Sequence, residues 1–320
     1  MSNGERVFVT AVKKYCASHR ISVELKADGW LIAMTRGSTR RFAFGYDLGL
    51  NSAVAHRIAN DKAATADVLE ICGIPCIPHT AFLSPAMYKY IVPTGAWTAM
   101  LDLLKQNPQG LVVKPNEGTG GISVFKVKTE PELEVAAHEI FSSEKSLAIS
   151  PYVEIEDEVR VILIDYRPIV VFSKDRLSVV GDGKRSVLEL AIATIPARRL
   201  SAILSGLSGD ISKASFDEVP PVGRHRALNW RHNLGAGAQA VVLDQSEARA
   251  AASIEIAIAA ARSIEMRFGS IDVVSVGSAW KVLEINSGVM MEALNRSHPE
   301  LVDAAYGAAL DLIFDPKAHP

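Results

Sequence analysis

Hydrophobic and polar positions along this chain follow two periods, and the switches between them mark its elements. A helical period over residues 5–20 gives way to three runs of strand character, Ile21–Glu24, Gly29–Met34 and Arg41–Tyr46. Lys62–Cys72 is again helical in period, with Gly73 and Pro75 as stop signals. Pro78–Pro93 reads as a connector punctuated by proline. A helix around Ala96–Gln106 precedes an apolar strand that opens into a glycine-rich loop, and Ile122–Val127 is the returning strand. Pro131–Phe141 is the next helix, and Leu147–Val153, Val159–Ile164 and Ile169–Ser173 are strands, the last two joined by an Asp165–Pro168 turn. Residues 181–225 are polar and irregular, with the character of a mobile insertion. Ser246–Phe268 is the clearest helix, with Asp244 as its cap, Gly269 as its stop and enough alanine to pack closely on a sheet. Ile271–Val276 and Trp280–Ile285 form a two-strand unit, and Val302–Phe314 is a final amphipathic helix.

Composition narrows the class of protein. The 320 residues can hold two or three small cores, and 48% hydrophobic with 22% charged residues is ordinary for a globular protein. A net charge of −2 argues against a general nucleic-acid binder. No apolar run approaches the ~18 residues of a membrane span, and the N-terminus has no signal-peptide pattern. Cys16, Cys72 and Cys76 are a sparse, odd set that fits reduced thiols in the cytoplasm, with buried apolar positions expected for the last two.

Two segments carry candidate chemistry. In Val112–Ser123 an apolar run reaches Lys114 and then Gly118, Gly120 and Gly121. Backbone N–H groups without side-chain bulk can approach phosphate oxygens there, and the lysine adds a point charge. In the second segment, two strand-like runs carry Asp272 on one and Glu284 and Asn286 on the next. Hard oxygen ligands on neighbouring strands suit Mg²⁺ shared with phosphate oxygens. Glu284 and Asn286 are two apart and so share one face of their strand.

With these and four further segments, residues 60–316 resemble the ATP-grasp superfamily of carboxylate–amine ligases. Within it, the sequence is most similar to the ligase domain of cyanophycin synthetases and to the glutamate-adding and glutathione-forming ligases. The further segments are Asn60-Asp61-Lys62 with Gly73-Ile74-Pro75, Glu158-Val159-Arg160, Val179–Lys184 followed by Val187 and Glu189, and Arg231-His232-Asn233-Leu234 with Gly235 and Gly237. The resemblance implies an α+β fold, two α+β lobes clamping ATP, with a short N-terminal α/β piece. It implies an abbreviated N-terminal substrate lobe over 1–60, a small lobe with the phosphate loop over 61–155 and a large lobe with the metal site over 156–320.

By the same resemblance, Lys62, Lys114 and the loop glycines Gly118, Gly120 and Gly121 contact the nucleotide phosphates. Ser150, Tyr152 and Val153 form the hinge at the adenine edge, and Glu158 takes the ribose hydroxyls. Asp272, Glu284 and Asn286 hold Mg²⁺ or Mn²⁺, and Arg160 and Arg231 serve the γ-phosphate and an acyl phosphate. Plain alternatives stand beside these roles: a surface lysine for Lys62 and Lys114, a solvated glutamate for Glu158, a paired structural carboxylate for the metal set, and a strand salt-bridge partner for Arg160. The implied partners are small carboxylates and amines, amino acids or peptides, with no nucleic acid and no membrane, and a homodimer is left open. Ser287-Gly288 follows Asn286 where the family commonly has proline-glycine, and the two-step polymerisation of cyanophycin synthetases, which takes a second ligase domain, is not expected. An ATP-grasp phosphotransferase without an amine acceptor and an ATP-binding regulator are the competing readings.

Overall fold

A computed structural model describes residues 5–88, 90, 96–118, 120–197, 200 and 216–315. The fold is α+β, and its contacts divide it into two compact units, 1–77 with 159–172 and 242–320, and 78–158 with 173–241.

In the first unit, helix α1 (Val7–Ser18) leads into an antiparallel sheet of β1 (Ser22–Lys26), β2 (Leu31–Arg36) and β3 (Thr39–Phe44). Two short helices follow, α2 (Ala53–Asn60) and α3 (Lys62–Ile71). The sequence pattern had not marked α2. Only Ala55 and Ala59 are buried on it, too weak an apolar stripe to register as a period. Asp61 ends α2 and caps α3, its carboxylate accepting the Ala64 N–H at 2.8 Å.

The second unit opens with β4 (Thr80–Leu83), a strand inside what read as a connector, followed by α4 (Ala96–Gln106). Strand β5 (Leu111–Pro115) carries Lys114, and β6 (Phe125–Val127) returns from the loop. The returning strand is shorter than Ile122–Val127, because Gly120, Gly121 and Ser123 take left-handed backbone angles of φ +74°, +72° and +51°. Helix α5 (Glu130–Phe141), closed by a Thr129–Glu132 capping box, covers a sheet of order β4-β7-β5-β6, where β7 is Ser146–Pro151.

The hairpin strands β8 (Asp157–Ile164) and β9 (Arg167–Asp175) turn at Asp165 and Tyr166, both left-handed. Within the insertion, β10 (Ser178–Val180), α6 (Val187–Thr194) and β11 (His225–Ala227) enclose a small core of their own with Val179, Leu190, Ala191 and Leu228. The rest of the segment expected to be irregular lies partly outside the described residues. Strand β12 (Gln239–Val242) follows.

Helix α7 (Ala248–Ser263) is shorter at both ends than Ser246–Phe268. It breaks at Glu265, whose φ of +54° supplies the left-handed step expected of glycine. Gly269 lies instead inside β13 (Phe268–Val276), where a Cβ would overlap Met266 and stand 2.9 Å from the Asn286 carbonyl oxygen. β13 pairs with β14 (Ala279–Asn286), and the strand order in this unit is β9-β8-β13-β14. Ala250, Ala257, Ala260 and Ala261 of α7 are fully buried in the core that includes Val273 and Ile285, as the alanine content implied. Helix α8 (Pro299–Phe314) closes the unit, Tyr306 meeting Phe8 edge-on at 5.1 Å. All three cysteines are free; Cys16 is buried, but Cys72 is exposed because it caps the outer end of α3, and Cys76 is half-buried.

Candidate active site

Each unit carries one group of the singled-out residues. In the first, β13 and β14 are in antiparallel register with Asp272 opposite Glu284, so their side chains leave the sheet on one face. The register shifts between Asp272 and Val273, a bulge that sets the acidic pair apart from the regular ladder below it. Asp272 is buried, and Arg160 on β8 donates to both of its oxygens, Nε to Oδ1 and Nη2 to Oδ2, each at 2.7 Å. Lys62, the first residue of α3, is 8% exposed and stands 3.7 Å from Glu284 Oε1. Two adjacent carboxylates are thus flanked by a cation on either side, Arg160 from β8 and Lys62 from α3, at positions where unpaired charge would be costly. The arginine is an ion-pair partner here, and Lys62 is no surface lysine.

Asn286 ends β14, and its side-chain nitrogen is buried without a hydrogen-bond partner. Among the described residues no three His, Cys, Asp or Glu side chains gather to hold a metal. The set Asp272, Glu284 and Asn286 is two carboxylates and an amide, all hard oxygen donors, and that chemistry fits Mg²⁺. Beyond Asn286 the chain runs through Ser287 to Glu292, which accepts the Tyr46 hydroxyl at 2.5 Å. Burial and this bond to a carboxylate push the Tyr46 phenol well above its ordinary pKa.

In the second unit, Lys114 is 8% exposed and sits in β5 opposite Ala148 of β7. The glycine loop beyond it is shaped by close approaches. A Cβ on Gly118 would lie 2.8 Å from Pro115 Cβ, and one on Gly121 would overlap the Asn233 side-chain nitrogen. Asn233 Nδ2 donates to the Gly120 carbonyl at 2.9 Å, and Arg231 Nη2 donates to the Val124 carbonyl at 2.5 Å. The Arg231–Asn233 segment therefore holds both ends of the loop, a role that sequence reasoning had not assigned to Asn233.

Ser150 lies opposite Val112, and the Tyr152 N–H is committed to the Gly110 carbonyl at 2.9 Å. Lys126 Nζ lies 3.2 Å above the Tyr152 ring, with Trp230 edge-on at 5.8 Å. Val153 stands two residues beyond the end of β7. Glu158 is buried, not solvated, and Lys174 Nζ reaches its Oε1 at 2.5 Å. No local pattern in the sequence pairs Lys174 with Glu158. His232 is buried too, its Nδ1 at 2.8 Å from the Lys174 carbonyl, not an exposed loop side chain.

This architecture is the ATP-grasp fold. A bifunctional glutathione synthetase from Pasteurella multocida superposes with a TM-score of 0.52 at 15% identity, over 96% of this chain and 44% of that one. The chain thus spans less than half the length of that enzyme. A D-alanine–D-alanine ligase from Bacillus anthracis gives 0.53 at 15% identity over 83% of this chain and 69% of its own. The same ligase complexed with ATP gives 0.51 at 16% identity, over 83% and 68%. No family model matches the sequence, and no curated protein matches it. No helix among the described residues is long and apolar enough to cross a membrane.

Proposed function

We propose that the protein is an ADP-forming ligase that joins the carboxylate of an amino acid or small peptide to an amine through an acyl phosphate. The observation that carries this reading is the Asp272–Glu284 register pair flanked by Arg160 and Lys62. A carboxylate pair bracketed by two cations suits a polyphosphate with its metal better than a purely structural network, which rarely ends in an unpartnered buried amide.

Magnesium belongs to the proposal, with Asp272, Glu284 and Asn286 as the residues that would hold it. When bound it would neutralise phosphate charge and polarise the transferred phosphoryl group. Lys114, Lys62 and the backbone of Gly118, Gly120 and Gly121 bind the phosphates. Ser150, Tyr152 and Val153 line the adenine, and Glu158 offers ribose hydroxyls the carboxylate oxygen that Lys174 does not take. Arg160, its plane fixed by Asp272, and Arg231 steady the phosphoryl group in transfer. The γ-phosphoryl group passes to a carboxylate oxygen and ADP leaves. The amine then attacks the acyl carbon, and phosphate departs with that oxygen. Catalysis is positioning and charge neutralisation, with no covalent side-chain nucleophile. Three free cysteines accord with a reducing compartment, so the proposed location is the cytoplasm.

A phosphate-release screen over pairs of amino acids identifies the substrates. With the true carboxylate, ATP and Mg²⁺, hydroxylamine should trap a hydroxamate, and ¹⁸O from the carboxylate should appear in released phosphate. Label in AMP would mean adenylation and overturn the mechanism. ADP release with a carboxylate but never with amide product would make the protein a phosphotransferase.

A further inference from the structure

The residue after Asn286 is tied to helix α2 by a closed set of hydrogen bonds. Ser287 is 2% exposed, and its Oγ lies 3.0 Å from His56 Nδ1 and 3.4 Å from Asn60 Oδ1. Asn60 Nδ2 in turn lies 3.0 Å from His56 Nε2. An amide nitrogen only donates, so His56 Nε2 accepts and the ring proton sits on Nδ1. Nδ1–H then donates to Ser287 Oγ, with Asp47 Oδ2 also 3.7 Å from that nitrogen, and the serine hydroxyl donates to Asn60 Oδ1. Three side chains thus form a ring in which each donates once and accepts once.

The ring has a counterpart two residues before Asn286. Glu284 is met there by Lys62, at the start of α3. Helices α2 and α3 share Asp61 as cap, and Thr65 Oγ1 donates to the Ile58 carbonyl at 2.6 Å, so the two act as one support. β14 is therefore held by this support on both sides of Asn286, while the Asn286 amide itself keeps an unspent buried donor. Gly288 follows, and the next fixed point of the backbone is the Val289 carbonyl, which accepts the Tyr306 hydroxyl at 2.7 Å.

We propose that His56, Asn60 and Ser287 are positioning residues that fix Asn286 for the metal, the ring supplying the rigidity that a proline after the asparagine would otherwise give. This rests on the assignment of Asn286 as a metal ligand. The test measures Mn²⁺ affinity by electron paramagnetic resonance with a non-hydrolysable ATP analogue, in wild type, Asn286→Ala, Ser287→Ala, His56→Ala and the His56→Ala/Ser287→Ala double variant. Each ring variant should weaken Mn²⁺ about tenfold, the loss of roughly one oriented ligand's advantage, with a melting temperature near that of wild type. The double variant should be no weaker than either single, because one break opens the ring. Should Ser287→Ala not fold, half-exposed His56→Ala carries the test. Ring variants that bind Mn²⁺ like wild type, while Asn286→Ala binds it poorly, would overturn the proposal and leave the ligand assignment standing. Losses that multiply in the double variant would also overturn it. Unchanged Mn²⁺ affinity in Asn286→Ala would remove the ligand assignment and the proposal with it.

Discussion

Arg160 and Asp272, 112 residues apart in sequence, meet in a two-bond fork with both N–O distances at 2.7 Å. The guanidinium plane is set by the carboxylate, and the carboxylate is turned by the guanidinium. Removing the arginine strands a charge whose side chain is 3% exposed. Arg160→Ala should therefore cost about 3 kcal/mol of stability, read by urea denaturation. The neutral pair Arg160→Met/Asp272→Leu should recover most of that loss while abolishing turnover. Near-wild-type stability of Arg160→Ala would show that the pair bears no structural load.

Nucleotide affinity should depend on Lys114 more than on any exposed lysine. Lys114 is buried at the end of β5, whereas Lys128 is exposed beyond β6. Lys114→Ala should weaken ATP binding at least tenfold by calorimetry, the share of one charge-assisted contact, and Lys128→Ala should leave it unchanged. Equal affinities for the two variants would remove Lys114 from the phosphate site.

The glycine loop should tolerate no side chain at position 121. A Cβ there overlaps the Asn233 amide, and φ of +72° costs an L-residue about 1 kcal/mol even without that overlap. Gly121→Ala should weaken ATP binding and loosen the loop, seen as faster backbone hydrogen exchange over 116–125. Asn233→Ala alone should also speed exchange, because Gly120 loses its latch. Protection unchanged in both variants would mean that the latch does not hold the loop.

Tyr46 gives a pH prediction. Its phenol has a raised pKa, from burial and then from its bond to Glu292. A raised pKa favours the protonated form in the fold, so the stabilisation is complete below the unfolded tyrosine value of about 10 and is lost as pH rises above it. Tyr46→Phe should be less stable than wild type near neutral pH, with the difference shrinking above pH ~10. A difference that stays constant through that range would mean that neither burial nor the bond to Glu292 raises the phenol's pKa in the fold.

The sequence by itself determined the strand that carries Lys114, the glycine loop, and the two strands with Asp272, Glu284 and Asn286. Those are local properties: a period of two or 3.6, a residue that needs positive φ, a carboxylate inside an apolar run. It also placed α3, α5 and α8 within a few residues. It overextended α7, because apolar Met266 and Phe268 carry on beyond Glu265, where the helix has already broken. It missed α2, whose buried face is two alanines.

Only the tertiary structure decided which charges meet. The pairing of Asp272 with Glu284 depends on strand register and a bulge, and register follows from which faces the whole sheet buries. Arg160 with Asp272, Lys174 with Glu158, Asn233 with Gly120, and the ring of His56, Asn60 and Ser287 join segments far apart in the chain. No local period encodes such contacts. They exist because the packed cores bring those strands and helices together, and burial then makes each unpaired polar group costly enough to choose its partner.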